Sequence, residues 1–242
     1  KASFEKLIRA CCADYLTPSG RMQVECVMFN CLPEGAGIYL SHQKKVGDAL
    51  KQKVCAIAMI GFRNASVLIS RRGIVSREGI TSDLGMVRML EKVVAASAGQ
   101  TVERLISAIP MTGSEIDSRP LRKLLRSTTQ EGRNNELTQL TTAIKFSRHE
   151  YVSALTSWFK QVIPSEVEEI LFCGGTADYL KKELNSYYRS TPCIFSSVSI
   201  PSSIDKNSLG CRLADVYSAF LYFDSVVKQR IAIPQEVILN RV

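Results

Sequence analysis

The chain has 242 residues, 45% hydrophobic and 22% charged, the make-up of a globular protein with one large domain or two small ones. Its net charge is +8, from 31 Lys and Arg against 23 Asp and Glu. No apolar run reaches the roughly 18 residues that a membrane-spanning helix needs, so no membrane span is expected.

The surplus of basic residues is scattered. Its densest groups are Lys44-Lys45 and the segment RPLRKLLR from Arg119 to Arg126, and both read as solvated helix faces. Direct DNA binding is therefore not expected. Eight cysteines occur, at 11, 12, 26, 31, 55, 173, 193 and 211, with no Cys-x-x-Cys pair. Several lie inside apolar runs, where Cys acts as a small core residue. The opening KASFEKLIRACC lacks the apolar stretch and cleavage site of a secretory signal. Reduced thiols and a cytoplasmic location are the simplest expectation. His42 and His149 are far apart and belong to no Cys/His cluster, so no zinc site is expected.

Phe4 to Tyr15 reads as a helix, with Leu7, Ile8, Cys11 and Tyr15 along one side. Thr17-Pro18-Ser19-Gly20 breaks it, and Val24 to Cys31 reads as a strand. That strand runs into Pro33-Glu34-Gly35-Ala36-Gly37. A carboxylate on a stiff corner beside close-approach glycines suits a general base or a water-positioning group, although a plain surface Glu would look the same. Ile38 to Lys51 looks helical.

The centre of the sequence is Val54 to Gly85. Val54 to Ile60 is a run of small and β-branched residues, Gly61-Phe62-Arg63-Asn64 interrupts it, and Ala65 to Ser70 continues it. Arg71-Arg72-Gly73 makes a second turn, and a third run starts at Ile74. Thr81-Ser82-Asp83 reads as the N-cap of a helix over Leu84 to Ala98, whose Met86, Val87, Leu90, Val93 and Val94 face the core. The Gly61 to Asn64 turn could cradle a phosphate with backbone N–H groups and an arginine, or be an ordinary hairpin turn.

Thr101 to Ile109 is read as a helix stopped by Pro110. Ser118 to Val162 is almost wholly helical, with caps expected at Ser118 and at Asn134-Asn135. Ile163-Pro164 ends this block. Glu168 to Cys173 is a short strand, Gly174-Gly175-Thr176 follows at once, and Ala177 to Leu184 reads as a helix. The two glycines make room there for a ring or a phosphate. Cys193 to Ser199 is a further strand, Ile200 to Ser208 a polar loop, and Leu213 to Val227 a long apolar helix before a short tail after Pro234.

Taken in order, the corners strand–PEG (Glu34), strand–GFRNAS–strand (Gly61) and strand–GGT–helix (Gly174) stand around a helical block. With TSDLG and LGCRLADVYSAF, this order resembles the actin, DnaK-chaperone and sugar-kinase superfamily, and within it the bacterial actin-like proteins of the ParM/StbA plasmid-segregation type. The resemblance covers Cys31 to Gly85, Glu169 to Leu184 and Leu209 to Phe220. It implies an α/β fold, ribonuclease-H-like, with a mixed five-stranded sheet flanked by helices and an inserted all-helical subdomain. The implied division is 1–45 as the end of a first lobe, 46–105 and 164–210 as a second lobe, 106–163 as the helical insertion, and 211–242 as a C-terminal helix and tail returning toward the first lobe. The chain lacks an initiator Met, and nothing in residues 1–30 fits the family's first phosphate loop, so most of the first lobe is expected to be missing from it.

The resemblance further implies ATP and Mg2+ as cofactors, polymerisation with copies of itself into filaments, ATP hydrolysis coupled to filament turnover, and a DNA-bound adaptor. Glu34 matches the carboxylate that positions the attacking water. Gly61, Phe62, Arg63 and Asn64 match the second phosphate loop, and Gly174, Gly175 and Thr176 match the adenosine-binding loop. Where the family carries a metal-associated Asp, this sequence has Met59, and a thioether is a poor Mg2+ ligand. An actin-like scaffold with a decayed ATPase is therefore the alternative, and a DnaK-type or sugar-kinase ATPase ranks below both.

Overall fold

The computed structural model describes residues 2–12, 14–26, 28–195, 197–207 and 209–232. The tail expected after Pro234 lies outside the described residues. The chain divides into two compact units, Lys1–Pro33 and Glu34–Val242.

The first unit holds helix α1 (Ala2–Cys11) and a hairpin of strands β1 (Asp14–Thr17) and β2 (Gly20–Gln23). Pro18-Ser19, expected to break a helix, instead forms the turn between β1 and β2, with the Thr17 hydroxyl donating to the Gly20 carbonyl at 2.8 Å. Two expectations fail here. The helix stops at Cys11, so Tyr15 stands on β1 and its hydroxyl donates back to the Cys11 carbonyl. Residues 24–26 and 28–31 form no strand. A strand needs a neighbour to take its backbone groups, and in this unit β1 and β2 pair with each other and with nothing else described.

The second unit is built on a mixed sheet. Helix α2 (Ala36–Val46) passes into a 3-10 turn over Gly47–Gln52 and delivers the chain to β3 (Val54–Ile60). β4 (Ala65–Arg71) returns antiparallel, with Ile60 opposite Ala65. The third run divides into β5 (Ile74–Val75) and β6 (Ile80–Ser82), both antiparallel to β4. The sheet thus has six strands rather than the five expected, because Ser76 to Gly79 interrupts the apolar run. Helices α3 (Met86–Ala96), α4 (Val102–Ala108) and α5 (Gln130–Val162) follow. Strand β7 (Glu169–Cys173) then enters beside β3 in parallel. Helices α6 (Gly175–Tyr179) and α7 (Lys181–Tyr187) lead to β8 (Cys193–Phe195), parallel to β7, and α8 (Ala214–Ala232) closes the described chain. The sheet order is β5-β4-β3-β7-β8 with β6 also on β4.

The central strands are covered on both faces, which is why they read as continuous apolar runs rather than alternating ones. All five residues of β7 are buried. Leu105, Leu121, Ile144, Tyr151 and Phe159 of the helical block share one core cluster with Ile60 and Phe172 of the sheet. At the amino end of β7, buried Glu169 meets the His42 ring from α2 and accepts from Lys53 Nζ at 2.9 Å.

The helix starts differ from expectation at three places. α3 begins after Gly85, because Thr81 and Ser82 are spent on β6. Ser118 precedes only a 3-10 turn over Pro120–Leu124. α5 is capped by Thr129, whose Oγ1 accepts from Gly132 N at 3.1 Å, and Asn134-Asn135 lie inside the helix.

Candidate functional site

β3 and β7 run parallel with Met59 beside Cys173, so their carboxyl ends stop together at one edge of the sheet. In an open α/β sheet this edge is where ligands bind. The Gly61 to Asn64 turn leaves β3 there. It is closed by Gly61 N donating to the Asn64 carbonyl at 2.9 Å. Its own carbonyls face α3: Met86 N donates to Gly61 O at 3.1 Å and Val87 N to Phe62 O at 2.9 Å. The turn thus caps a helix start that has no side-chain cap. Gly85 makes the approach possible, since a Cβ there would lie 2.2 Å from the Arg63 carbonyl carbon. Phe62, Arg63 and Asn64 are exposed.

The second glycine corner meets the first. Thr176 is buried and its Oγ1 donates to Gly61 O at 3.0 Å. Gly174 has φ of +100, and a Cβ on it would stand 2.4 Å from the Ile60 carbonyl oxygen. Gly175 is different: the nearest atom to a Cβ there is Arg212 Nε, at 3.6 Å. One glycine lets two strand ends touch, and the other leaves room beside an arginine. Since α6 has only five residues, its dipole contributes little, and the corner's capacity comes from space and from Arg212. The Cys173 thiol donates to the Cys211 carbonyl at 3.6 Å, and burial pushes the Cys173 and Cys211 thiols up to about 12. Neither is a nucleophile at neutral pH.

Glu34 joins the group through β4. Its Oε2 accepts from Ser66 Oγ at 2.7 Å, and Ser66 pairs across the sheet with Met59. Glu34 itself is exposed, so a carboxylate with one fixed oxygen faces solvent beside the ends of β3 and β4. The chain next to it is held by α8. Gly35, at φ of +88, donates its N–H to Asp215 Oδ2 at 2.9 Å, and Ile38 N donates to Asp215 Oδ1 at 3.2 Å. A Cβ on Gly37 would lie 2.3 Å from the Asp215 carbonyl oxygen. Gly37 therefore serves the close crossing of α2 and α8, whereas a Cβ on Gly35 would meet Ile57 of β3 at 3.0 Å.

All eight residues singled out from the sequence thus belong to one neighbourhood linked by short contacts. Ser66, Gly85, Arg212 and Asp215 are part of it and were not singled out. The signal for Asp215 and Arg212 was their place in LGCRLADVYSAF. Ser66 and Gly85 gave no local signal of their own. The available groups suit an anion: exposed Arg63 and Arg212, with room at Gly175 beside Arg212. They do not suit Mg2+. Met59 offers a thioether, the Asp215 carboxylate is taken by backbone N–H groups, and no three His, Cys, Asp or Glu among the described residues gather as a metal site.

No family model matches the chain, and no curated protein sequence matches it. Solved structures do. A non-polymerisable quadruple mutant of pCBH ParM superimposes with a TM-score of 0.51 at 14% identity, over 85% of this chain and 57% of that one. The fold is actin-like, of the ParM type. Two further solved structures match over part of their length, Alp12 in its filament and Bacillus thuringiensis ParM with ATP. Alp12 is 16% identical with a TM-score of 0.46, over 78% of this chain and 52% of that one. The Bacillus thuringiensis protein is 12% identical with a TM-score of 0.45, over 69% and 47%. The chain thus spans about half the length of the actin-like structures it matches.

Proposed function

We propose that this chain supplies one side of an ATP site in an actin-like protein that polymerises into filaments, serving plasmid segregation or a bacterial cytoskeleton. The observation that carries the reading is the convergence of Glu34, the Gly61 turn and the Gly174 corner at one sheet edge, joined by the bond from Thr176 Oγ1 to Gly61 O at 3.0 Å. In this reading the Gly174 to Thr176 corner and Arg212 take the adenosine side, Arg63 and the backbone of the 61–64 turn take phosphate charge, and Glu34 orients the attacking water. Phosphoryl transfer relies on positioning and electrostatics, so a carboxylate fixed by Ser66 and cations around the phosphates are the parts it needs. ATP would bring the group that is transferred, and no step is assigned to a metal ion.

The solved pCBH relative is described as a non-polymerisable mutant, which supports polymer formation as a property to test in this chain. Self-association is thus the principal partnership proposed, with a DNA-bound adaptor as the link to cargo. The lobes at 1–45, 46–105 with 164–210, the insertion at 106–163 and the returning segment 211–242 belong to the same reading. Met59 favours a second reading, a scaffold of this fold whose assembly ignores nucleotide.

Sedimentation of the intact protein with ATP, with ADP and without nucleotide separates the two, with phosphate release followed in the same tubes. Pelleting with ATP alone, with phosphate release abolished by Glu34→Ala, is the expected result. Pelleting in every state without phosphate release supports the scaffold. No pelleting in any state overturns the filament reading.

A further inference from the structure

A separate cavity of about 320 Å3 lies among α5, the turn at 113–116 and α7. Ser114, Glu115, Ile116, Lys145, His149 and Val152 line it, with Arg148 and Glu183 in its wall. It shares no residue with the candidate nucleotide site. Its volume is at the lower end of pockets that take small organic ligands.

The wall is built around Arg148, which is 4% exposed. Its guanidinium donates to the Gly113 carbonyl at 2.9 Å, the Ser114 carbonyl at 3.2 Å and the Tyr179 carbonyl at 2.9 Å. It also pairs with Glu183 at 2.8 Å and lies over the Tyr179 ring. These bonds fix the turn. They leave Ile116 at φ of +56, a conformation costly for a β-branched residue. The cavity therefore has a rigid rim.

The charges of the lining are unequally committed. Glu183 is paired with Arg148, and Glu115 with Lys182 at 2.6 Å. Lys145 and His149 are exposed, stand one helical turn apart on α5, and have no recorded partner among the described residues. Ile116 and Val152 supply an apolar floor between them. The uncommitted groups are thus the Lys145 ammonium and the His149 imidazole, two groups that can donate hydrogen bonds beside a small apolar surface.

We propose that this cavity binds a small organic anion, its phosphate or carboxylate held by Lys145 and His149 and its apolar body resting on Ile116 and Val152. The opposite possibility, a cationic ligand drawn by Glu115 and Glu183, would require breaking two ion pairs.

Titration of the intact protein with phenyl phosphate, benzoate, inorganic phosphate and phenethylammonium, followed by NMR at the Ile116 methyl and the His149 ring, tests this. Saturable shifts at both residues with phenyl phosphate or benzoate are expected. The two anions distinguish a phosphate ligand from a carboxylate one, and weaker binding of inorganic phosphate reports the apolar floor. Lys145→Ala and His149→Ala change exposed side chains and leave the fold intact, so each should weaken binding at least tenfold. Absence of saturable shifts, shifts unaffected by both substitutions, or tighter binding of phenethylammonium overturns the proposal.

Discussion

Asp215 accepts the backbone N–H of Gly35 at 2.9 Å across 180 residues of sequence, and that of Ile38 at 3.2 Å. One carboxylate on α8 therefore caps the start of α2, a task usually done by the residue just before a helix. Gly35 occupies that place with no side chain to offer. The carboxylate also sits at the positive end of the helix dipole. Asp215→Ala leaves two N–H groups without their acceptor and should destabilise the fold by about 1–3 kcal/mol, and Asp215→Asn by less. Urea unfolding at neutral pH measures both. An unchanged midpoint for Asp215→Ala would show that α2 does not depend on this cap.

Gly85 gives a cleaner test of close packing. Its φ of −82 is open to any residue, so alanine there carries no conformational strain. The added methyl would nonetheless meet Arg63 and Phe62 backbone atoms at 2.2 and 2.4 Å. Gly85→Ala should push the Gly61 to Asn64 turn away from α3 and cost about 1–3 kcal/mol. Faster hydrogen exchange at the Met86 and Val87 amides is the expected signature. Unchanged exchange at both would contradict the tight fit.

Alkaline pH should unfold the protein in a particular way. Burial pushes the Cys55 and Cys173 thiols from the usual 9.0 up to about 12. The native state then keeps protons that the unfolded chain releases, so stability is complete below pH 9 and declines as pH rises toward 12. Each thiol contributes a slope of about 1.4 kcal/mol per pH unit in that window. Lys53, whose ammonium is held charged by Glu169, adds loss in the same direction above its ordinary range. Cys55→Ala should lower stability at neutral pH through lost packing and flatten the alkaline slope. An unchanged slope would mean that Cys55 titrates normally in the folded state.

The sequence carried the sheet more clearly than the site. β3, β4 and β7 were readable because strands buried on both faces are unbroken apolar runs, and the glycines at 61 and 174 mark where they stop. Val24 to Cys31 reads in the same way, yet residues 24–26 and 28–31 form no strand, because composition does not say whether a neighbouring strand is present. The start of α5 lies between the two expected caps, at Thr129, whose Oγ1 accepts from Gly132 N. Glu34, the 61–64 turn and the 174–176 corner could be named from local motifs. Their partners could not. Ser66 reaches Glu34 across 32 residues and Thr176 reaches Gly61 across 115, and such bonds leave no trace in local spacing.

Gly175 offers the most direct test of the nucleotide reading. Its Cβ position is 3.6 Å from the nearest foreign atom, so Gly175→Val should fold normally while filling the space beside Arg212. Binding of a fluorescent ATP analogue to the intact protein and to this variant is the measurement. The account predicts saturable binding by the unmodified protein and at least a tenfold loss in Gly175→Val, with the urea midpoint unchanged. Equal binding by the two, or none by either, would contradict the assignment of this corner to ATP.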